Sequence, residues 1–152
     1  MRTSALRRFT PLPKTGKRAD ASRRARRSVW GDILQRSGWE CEGCGISSRA
    51  ISLEWAHLCG RPGSGMCLGD VADSLELTAA LCADSPAGGR VGCHSIYDGR
   101  ALAGTPLAED LRAKLLRAAY VRLGGSVDGV ECDSIGWREL IRQIVREREE
   151  AV

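Results

Sequence analysis

The cysteines and histidines of this chain are its candidates for metal binding and proton transfer, and their spacing indicates which role each could take. Two residues separate Cys41 from Cys44 in CEGCG, and two thiolates on one turn can hold a zinc ion at tetrahedral angles. Cys82 and Cys93 are the best second pair, because the Gly/Pro-rich residues between them can form a loop at little cost in entropy. The spacing therefore predicts a structural zinc site made by these four cysteines.

The other cysteines are competing ligands. Cys59 and Cys67 lie in the glycine-rich stretch after His57, and Cys132 stands alone. Free thiols or small buried side chains are the simpler interpretation of the first two, and Cys132 is expected to be inert. A redox-active dithiol at residues 41–44 is a further possibility, but the strand–helix–strand pattern typical of that chemistry is missing around it.

Only two histidines occur, His57 and His94. Asp98 follows His94 by four residues, so on a short helix the imidazole and the carboxylate share one face. Such a pair can hold a divalent cation, and a salt bridge within the helix explains it equally well. His57 is either a structural core residue or a general base, since a neutral imidazole near a cation-bound phosphate can take a proton from water.

Short elements must position these residues. A helix is predicted over about residues 22–38, and AISLEWAHL (50–58) is typical of a strand. Residues 73–82 are ambiguous between a short strand and a helical turn. Residues 93–98 are expected to start a short helix.

Two amphipathic helices are expected to close the chain. Their apolar residues repeat at helical spacing and are best explained by core packing, although the second stripe could also form a dimer face, which leaves the oligomeric state open. The first stripe consists of Leu107, Leu111, Leu115 and Ala119. The second consists of Trp137, Leu140, Ile141, Ile144 and Val145.

Basic residues are concentrated near the N-terminus. Residues 1–30 carry ten Arg or Lys against one acid, whereas the rest of the chain carries thirteen against eighteen. A flexible basic arm on an acidic body predicts a polyanionic partner such as DNA, with a solvated tail as the alternative. Phosphate contacts of this kind give salt-sensitive affinity and little sequence information. The residues expected to make them are Arg7, Arg8, Lys14, Lys17, Arg18, Arg23, Arg24, Arg26 and Arg27.

The sequence also indicates a compartment. No apolar run approaches the roughly 20 residues that span a bilayer, so no membrane association is expected. The basic N-terminus lacks the apolar stretch of a secretory signal. A reducing cytoplasm is the expected location, and there cysteines bind metals more often than they form disulfides.

Four motifs in a fixed order carry a family resemblance. They are CEGCG (41–45), LEWAHL (53–58), LC (81–82) and GCHSIYD (92–98). Together they resemble the HNH nuclease family, also called the ββα-metal fold, over about residues 38–100. The long spacing before the Cys-His pair is similar to that of small HNH proteins from actinobacterial phages, which would place the chain in the cytoplasm of a host cell.

The resemblance implies a role for each matching residue. His57 matches the general base, His94 the last metal-ligand position, and Asp98 a further ligand four residues on. The bound ion would be Mg²⁺ or another divalent cation, and the cysteines match a Zn²⁺ that staples the hairpin to the helix. Ala56 stands where many members have another ligand, and Glu54 is a possible substitute.

The family's middle asparagine has no counterpart, because this chain contains no Asn. Asp73 or Thr78 could brace the loop in its place. An inactive remnant that still binds DNA is therefore the alternative to an active enzyme.

The sequence thus predicts an α+β protein with a small zinc-stapled ββα-metal core, flanked by an N-terminal helix and two C-terminal helices. Its expected organisation is a flexible basic arm (1–21), an HNH nuclease domain with a leading helix (22–105) and a C-terminal helical extension (106–152). The expected function is metal-dependent hydrolysis of DNA phosphodiester bonds. The alternative is a zinc-stapled DNA-binding module without catalysis, acting as a regulator or packaging accessory.

Overall fold

Four helices and one two-stranded sheet make up the regular structure of residues 17–60 and 74–151, which are the residues that the computed structural model describes. In chain order the elements are α1 (Lys17–Arg36), β1 (Leu53–His57), β2 (Thr78–Cys82), α2 (Cys93–Tyr97), α3 (Pro106–Arg122) and α4 (Ser134–Glu150), α2 being the shortest helix. The predicted α+β class is confirmed. None of the helices described in these two stretches is both long enough and apolar enough to cross a membrane.

Helix α1 begins at Lys17, earlier than the predicted start near residue 22. No glycine or proline interrupts residues 17–30, and the stretch is rich in Ala and Arg, which are good helix formers, so the helix extends toward Gly16. Gly38 ends it in the left-handed conformation (φ +65°) that glycine adopts without steric cost. Residues 1–16 of the predicted arm, with Arg7, Arg8 and Lys14, lie outside the described residues.

Strands β1 and β2 pair antiparallel, with Leu53 opposite Cys82 and His57 opposite Thr78. The ambiguity of residues 73–82 is thus resolved in favour of a strand for the second half of that stretch. All five side chains of β2 are buried, so the strand lacks the polar–apolar alternation that would have identified it in the sequence.

Helices α3 and α4 pack on each other and on the sheet to form the core. Both predicted apolar stripes contribute, and most of their members are buried or packed against the core. Leu107 is the exception, with 58% of its surface exposed, because it lies in the first turn of α3 where no neighbour covers it. A hydroxyl and a carboxylate cap the two helices: Thr105 accepts from the Ala108 amide (3.3 Å) and Asp133 from the Gly136 amide (2.8 Å).

Candidate metal centre

Four cysteine sulfur atoms meet at the junction of the sheet and α2. The Sγ atoms of Cys41, Cys44, Cys82 and Cys93 all lie within 4.8 Å of one another, and those of Cys44 and Cys82 are 3.8 Å apart. Sulfur ligands about 2.3 Å from one zinc ion are about 3.8 Å apart in a tetrahedron. The structure therefore brings the four predicted cysteines together, and the cluster could bind a metal ion such as zinc.

A tight turn presents the first two ligands. The Cys41 amide donates to the Ile46 carbonyl (2.9 Å) and the Gly45 amide to the Cys41 carbonyl (2.7 Å), which folds residues 41–46 back on themselves. A Cβ atom on Gly43 would lie 2.9 Å from the Cys93 sulfur and 2.9 Å from Leu111. Glycine is therefore needed here for close packing of the turn on α2 and α3.

A second close approach brings Cys93 back to Cys82. The intervening loop is closed on itself by the Ser85 amide, which donates to the Arg90 carbonyl (3.0 Å). A Cβ atom on Gly92 would lie 2.3 Å from the Ala83 carbonyl carbon, so the two backbones can meet only at a glycine. The long spacing between the later two cysteines is thus accommodated by a loop, as the sequence predicts.

Asp84 fixes the start of α2 within this loop. Its carboxylate accepts from the Gly92 amide (2.7 Å) and from the Ser95 hydroxyl (2.8 Å). These two hydrogen bonds lower the pKa of Asp84, with the Gly92 amide as the larger cause. The ionised carboxylate therefore helps to position the helix that carries Cys93.

The electrostatics of the cluster favour a cation. A hydrogen bond from Cys93 and several backbone amides lower the pKa of Cys41 to about 4, so Cys41 is a thiolate at neutral pH. The same hydrogen bond, followed by burial, raises the pKa of Cys93. Burial is the first cause that raises the pKa of Cys82. Four crowded sulfurs cannot all ionise without a positive charge between them, and a divalent metal would supply it.

The sulfurs also accept hydrogen bonds from around the cluster. The Cys82 amide donates to the Cys41 sulfur (3.3 Å) and the Cys93 amide to the Cys82 sulfur (3.2 Å). The Arg90 guanidinium lies 3.1 Å from the sulfur of Cys44, the one exposed member of the four. Such outer contacts orient metal ligands and offset their negative charge. Arg90 lies outside every motif, so its contact with the cluster could not be predicted from spacing.

Glu42, between the first two ligands, ties the turn to the rest of the fold. One of its oxygens accepts from the Ala80 amide and from Arg36 of α1, each at 2.8 Å, and the other lies 3.3 Å from Arg122 of α3. Both guanidinium groups continue to the Thr78 carbonyl, at 2.9 and 3.3 Å. A half-buried carboxylate held between two arginines thus fixes the turn of residues 41–46 against two helices.

His94 and Asp98, predicted as holders of a catalytic ion, lie beside the cysteine cluster. The His94 Nδ1 atom is 2.6 Å from a Glu54 oxygen, and its Nε2 atom is 3.5 Å from Asp98. Two ligands about 2.1 Å from one ion lie about 3–4 Å apart, so Nε2 and the carboxylate fit a shared cation. Arg100 already contacts Asp98, at 2.6 Å.

His57 lies at the end of β1, where its ring stacks on Trp55 (centroids 5.6 Å apart, planes 19° from parallel). Successive side chains of a strand point to opposite faces, so His57 shares a face with Trp55 while Glu54 shares the other face with Ala56. Glu54 contacts His94. His57 and His94 therefore lie toward opposite faces of β1, and the role of His57 as general base stays a prediction.

The remaining predicted site residues lie away from the cysteine cluster or are described only in part. Cys59 is buried, which raises the pKa of its thiol to about 11, and it takes no part in the cluster. Arg24, Arg26 and Arg27 are exposed on α1. Cys67 and Asp73 lie outside the described residues. For the side chains of Lys17, Arg18 and Arg23 the phosphate-binding role stays a prediction.

Comparison of the chain with protein-family models, with curated proteins and with solved structures found no match. The geometry of the site therefore carries the functional inference.

Proposed function

We propose that this protein is a metal-dependent endonuclease of the HNH type that hydrolyses phosphodiester bonds in DNA. The observation that carries the proposal is the contact between His94 of α2 and Glu54 of β1, beside four converging cysteine sulfurs. Hairpin, short helix and cysteine staple follow the order that the ββα-metal fold requires. Glu54 also places a carboxylate next to His94, which Ala56, lacking a polar side chain, cannot do.

In this proposal the two histidines have separate tasks. His57 takes a proton from the attacking water, and its stacking on Trp55 limits how far the ring can rotate. His94 and Asp98 hold a divalent cation through Nε2 and a carboxylate oxygen. That ion, when bound, polarises the scissile phosphate and stabilises the leaving oxygen.

Thr78 supports the proposal because it fills the bracing role of the missing asparagine. Its hydroxyl lies 2.9 Å from the Ser74 carbonyl and 3.3 Å from the Leu75 carbonyl, and the side chain is fully buried. Thr78 is also the strand partner of His57. The loop that enters β2 is therefore fixed next to the proposed base.

The exposed arginines of α1 provide the proposed phosphate contacts. Arg24, Arg26 and Arg27 lie on a helix whose residues, 17–36, include seven basic against two acidic side chains. Their contacts would position DNA without reading its sequence, and binding would weaken steeply with salt.

The test is nicking of a supercoiled plasmid by the metal-loaded protein with Mg²⁺, Mn²⁺, Co²⁺ or Ni²⁺. We expect His57→Ala to reduce nicking by 100-fold or more, in the range that general bases contribute (about 10²–10⁴-fold). Glu147→Gln, on the far helix α4, is the matched control and should nick like wild type. Nicking that His57→Ala leaves unchanged would defeat the proposed mechanism.

A zinc-stapled DNA-binding module without catalysis is the second candidate. The contact of Arg100 with Asp98 favours it, because a guanidinium 2.6 Å from the carboxylate competes with a cation. The buried methyl group of Ala56 offers no ligand either. This candidate predicts salt-sensitive binding to duplex DNA with no cleavage under any of the four ions.

A further inference from the structure

Three aromatic rings from two elements form a continuous stack beside the basic helix. Trp30 of α1 and Trp55 of β1 are nearly parallel (6°), with ring centroids 6.4 Å apart. Trp55 in turn stacks on His57 at 5.6 Å. We refer to Trp30, Trp55 and His57 as the ring ladder, and we propose that it is a stacking site for an unpaired base of single-stranded DNA.

The central ring stacks on both of its neighbours. The indole nitrogen of Trp55 is buried and has no hydrogen-bond acceptor among the described residues. All three rings of the ladder are only half-buried, so aromatic surface remains open to solvent at its edge. A flat, weakly hydrated ligand gains from such a surface, and every nucleobase has a π face that can stack on an aromatic side chain.

The charge next to the ladder identifies the ligand as a nucleotide chain. Arg26 and Arg27 precede Trp30 by four and three residues, which places them one helical turn away on the same face of α1. One turn is about 5 Å along the axis, close enough for one nucleotide to place its base on the ring and a phosphate at an arginine. An aromatic platform beside basic side chains is the combination that single-strand binding uses.

The third ring links this site to catalysis. His57 ends the ladder and is also the proposed general base, so a base stacked on the ladder would bring its own backbone close to the residue proposed to take the proton. The inference rests on the proposed function only for its choice of DNA as the partner. Binding of an unpaired base does not require cleavage, and the experiment therefore measures binding.

The test compares two labelled oligonucleotides by fluorescence anisotropy with the full-length, metal-loaded protein. One is a thymidine oligomer, and the other has the same length and phosphates but abasic residues in place of every nucleotide. We expect the thymidine oligomer to bind roughly 5- to 100-fold more tightly, since stacking contributes on that scale per base. Trp30→Ala should remove most of this preference, whereas Trp30→Phe should retain part of it.

Trp39→Ala is the matched control, because Trp39 is 57% exposed yet lies outside the ladder. It should keep the preference of the wild type. Equal affinity of the wild type for both oligomers overturns the proposal, and this result does not depend on whether any variant folds. Retention of the full preference by Trp30→Ala also overturns it. If the wild type does not nick plasmid but still prefers the thymidine oligomer, the proposed nuclease activity is wrong and the stacking site is retained.

Discussion

His94 and Glu54 belong to different elements and are 40 residues apart in sequence, yet a ring nitrogen and a carboxylate oxygen lie 2.6 Å from each other. A contact of this length with a carboxylate fits Nδ1 as the donor. Nε2, on the other side of the ring, lies 3.5 Å from Asp98 and could donate to that carboxylate or bind a cation through its lone pair. Glu54 therefore orients the ring as an outer carboxylate orients a metal-binding histidine.

Removal of this carboxylate should weaken the proposed second metal site at His94 and Asp98. We expect Glu54→Ala to lower the affinity for Mn²⁺ by about 10- to 100-fold, the usual effect of losing a residue that orients a ligand. Titration calorimetry on protein with its cysteine cluster already loaded measures this affinity. Glu40→Ala is the control, since Glu40 is exposed and outside the site. Unchanged Mn²⁺ affinity in Glu54→Ala would show that Glu54 does not orient His94 for a metal.

The cysteine cluster should hold one zinc ion per chain. Cys82→Ser removes one of four ligands, and we expect its zinc content after dialysis to fall well below that of the wild type. Cys132→Ser should keep the full content, because Cys132 lies outside the cluster. Metal analysis by mass spectrometry measures both. Wild-type protein without bound metal, or Cys82→Ser with full content, would contradict the prediction.

Glu42 should matter for stability more than any surface acid. Glu42→Ala leaves Arg36 and Arg122 without their shared carboxylate, and breaking a largely buried ion pair costs about 3 kcal/mol in free energy of unfolding. The exposed Glu139, which contacts Arg142 at 2.9 Å, is the control. Glu139→Ala should cost less than about 1 kcal/mol. Urea unfolding of the metal-loaded proteins measures both, and equal losses would refute the assigned role.

Local spacing could be predicted from the sequence, whereas contacts between distant residues could not. The cysteines of the turn illustrate the first case, and the ion pairs of Glu42 with Arg36 and Arg122 the second. Two thiols separated by two residues need only a turn to converge, so Cys41 and Cys44 could be recognised as a pair of metal ligands without knowledge of the fold. The ion pairs of Glu42 join residues up to 80 positions apart in sequence. Nothing local distinguishes those arginines from the solvated ones of α1.

Burial explains the other differences. Residues 78–82 show no polar–apolar alternation because both faces of β2 are covered. Leu107 fits the apolar stripe of α3 yet is exposed, because spacing within the helix does not show where the core ends. The stacking of Trp30 on Trp55 depends on where α1 lies against the sheet. Spacing within one element cannot report a contact between two.

Stability should fall at low pH partly through Glu109. Hydrogen bonds from Ser134, the side chain first and then the backbone amide at 2.8 Å, lower the pKa of Glu109. The stabilisation is therefore fully present above the unfolded pKa of about 4.3 and is lost as the pH falls through the lower, folded value. The difference in free energy of unfolding between wild type and Glu109→Gln should be largest near pH 6 and shrink below about pH 4.

Chemical denaturation at each pH measures that difference, and comparison with the variant cancels the loss of metal that both proteins undergo in acid. A difference that grows toward low pH would show that the sign of the linkage is wrong. Asp128→Asn is a suitable control, because Asp128 is exposed on the loop before α4.

Glu42 lies inside the turn of residues 41–46 and contacts α1 through Arg36. Metal binding at the cysteines and binding of a polyanion to α1 would therefore be linked. If an ion in the cysteine cage stiffens the turn, it also restricts the tilt of the helix that carries the exposed arginines. Thermodynamic linkage then requires the converse by the same factor: a polyanion that immobilises this helix must raise the affinity of the cluster for the ion. A metal ion at the cysteines and a polyanion on α1 would thus each strengthen the binding of the other.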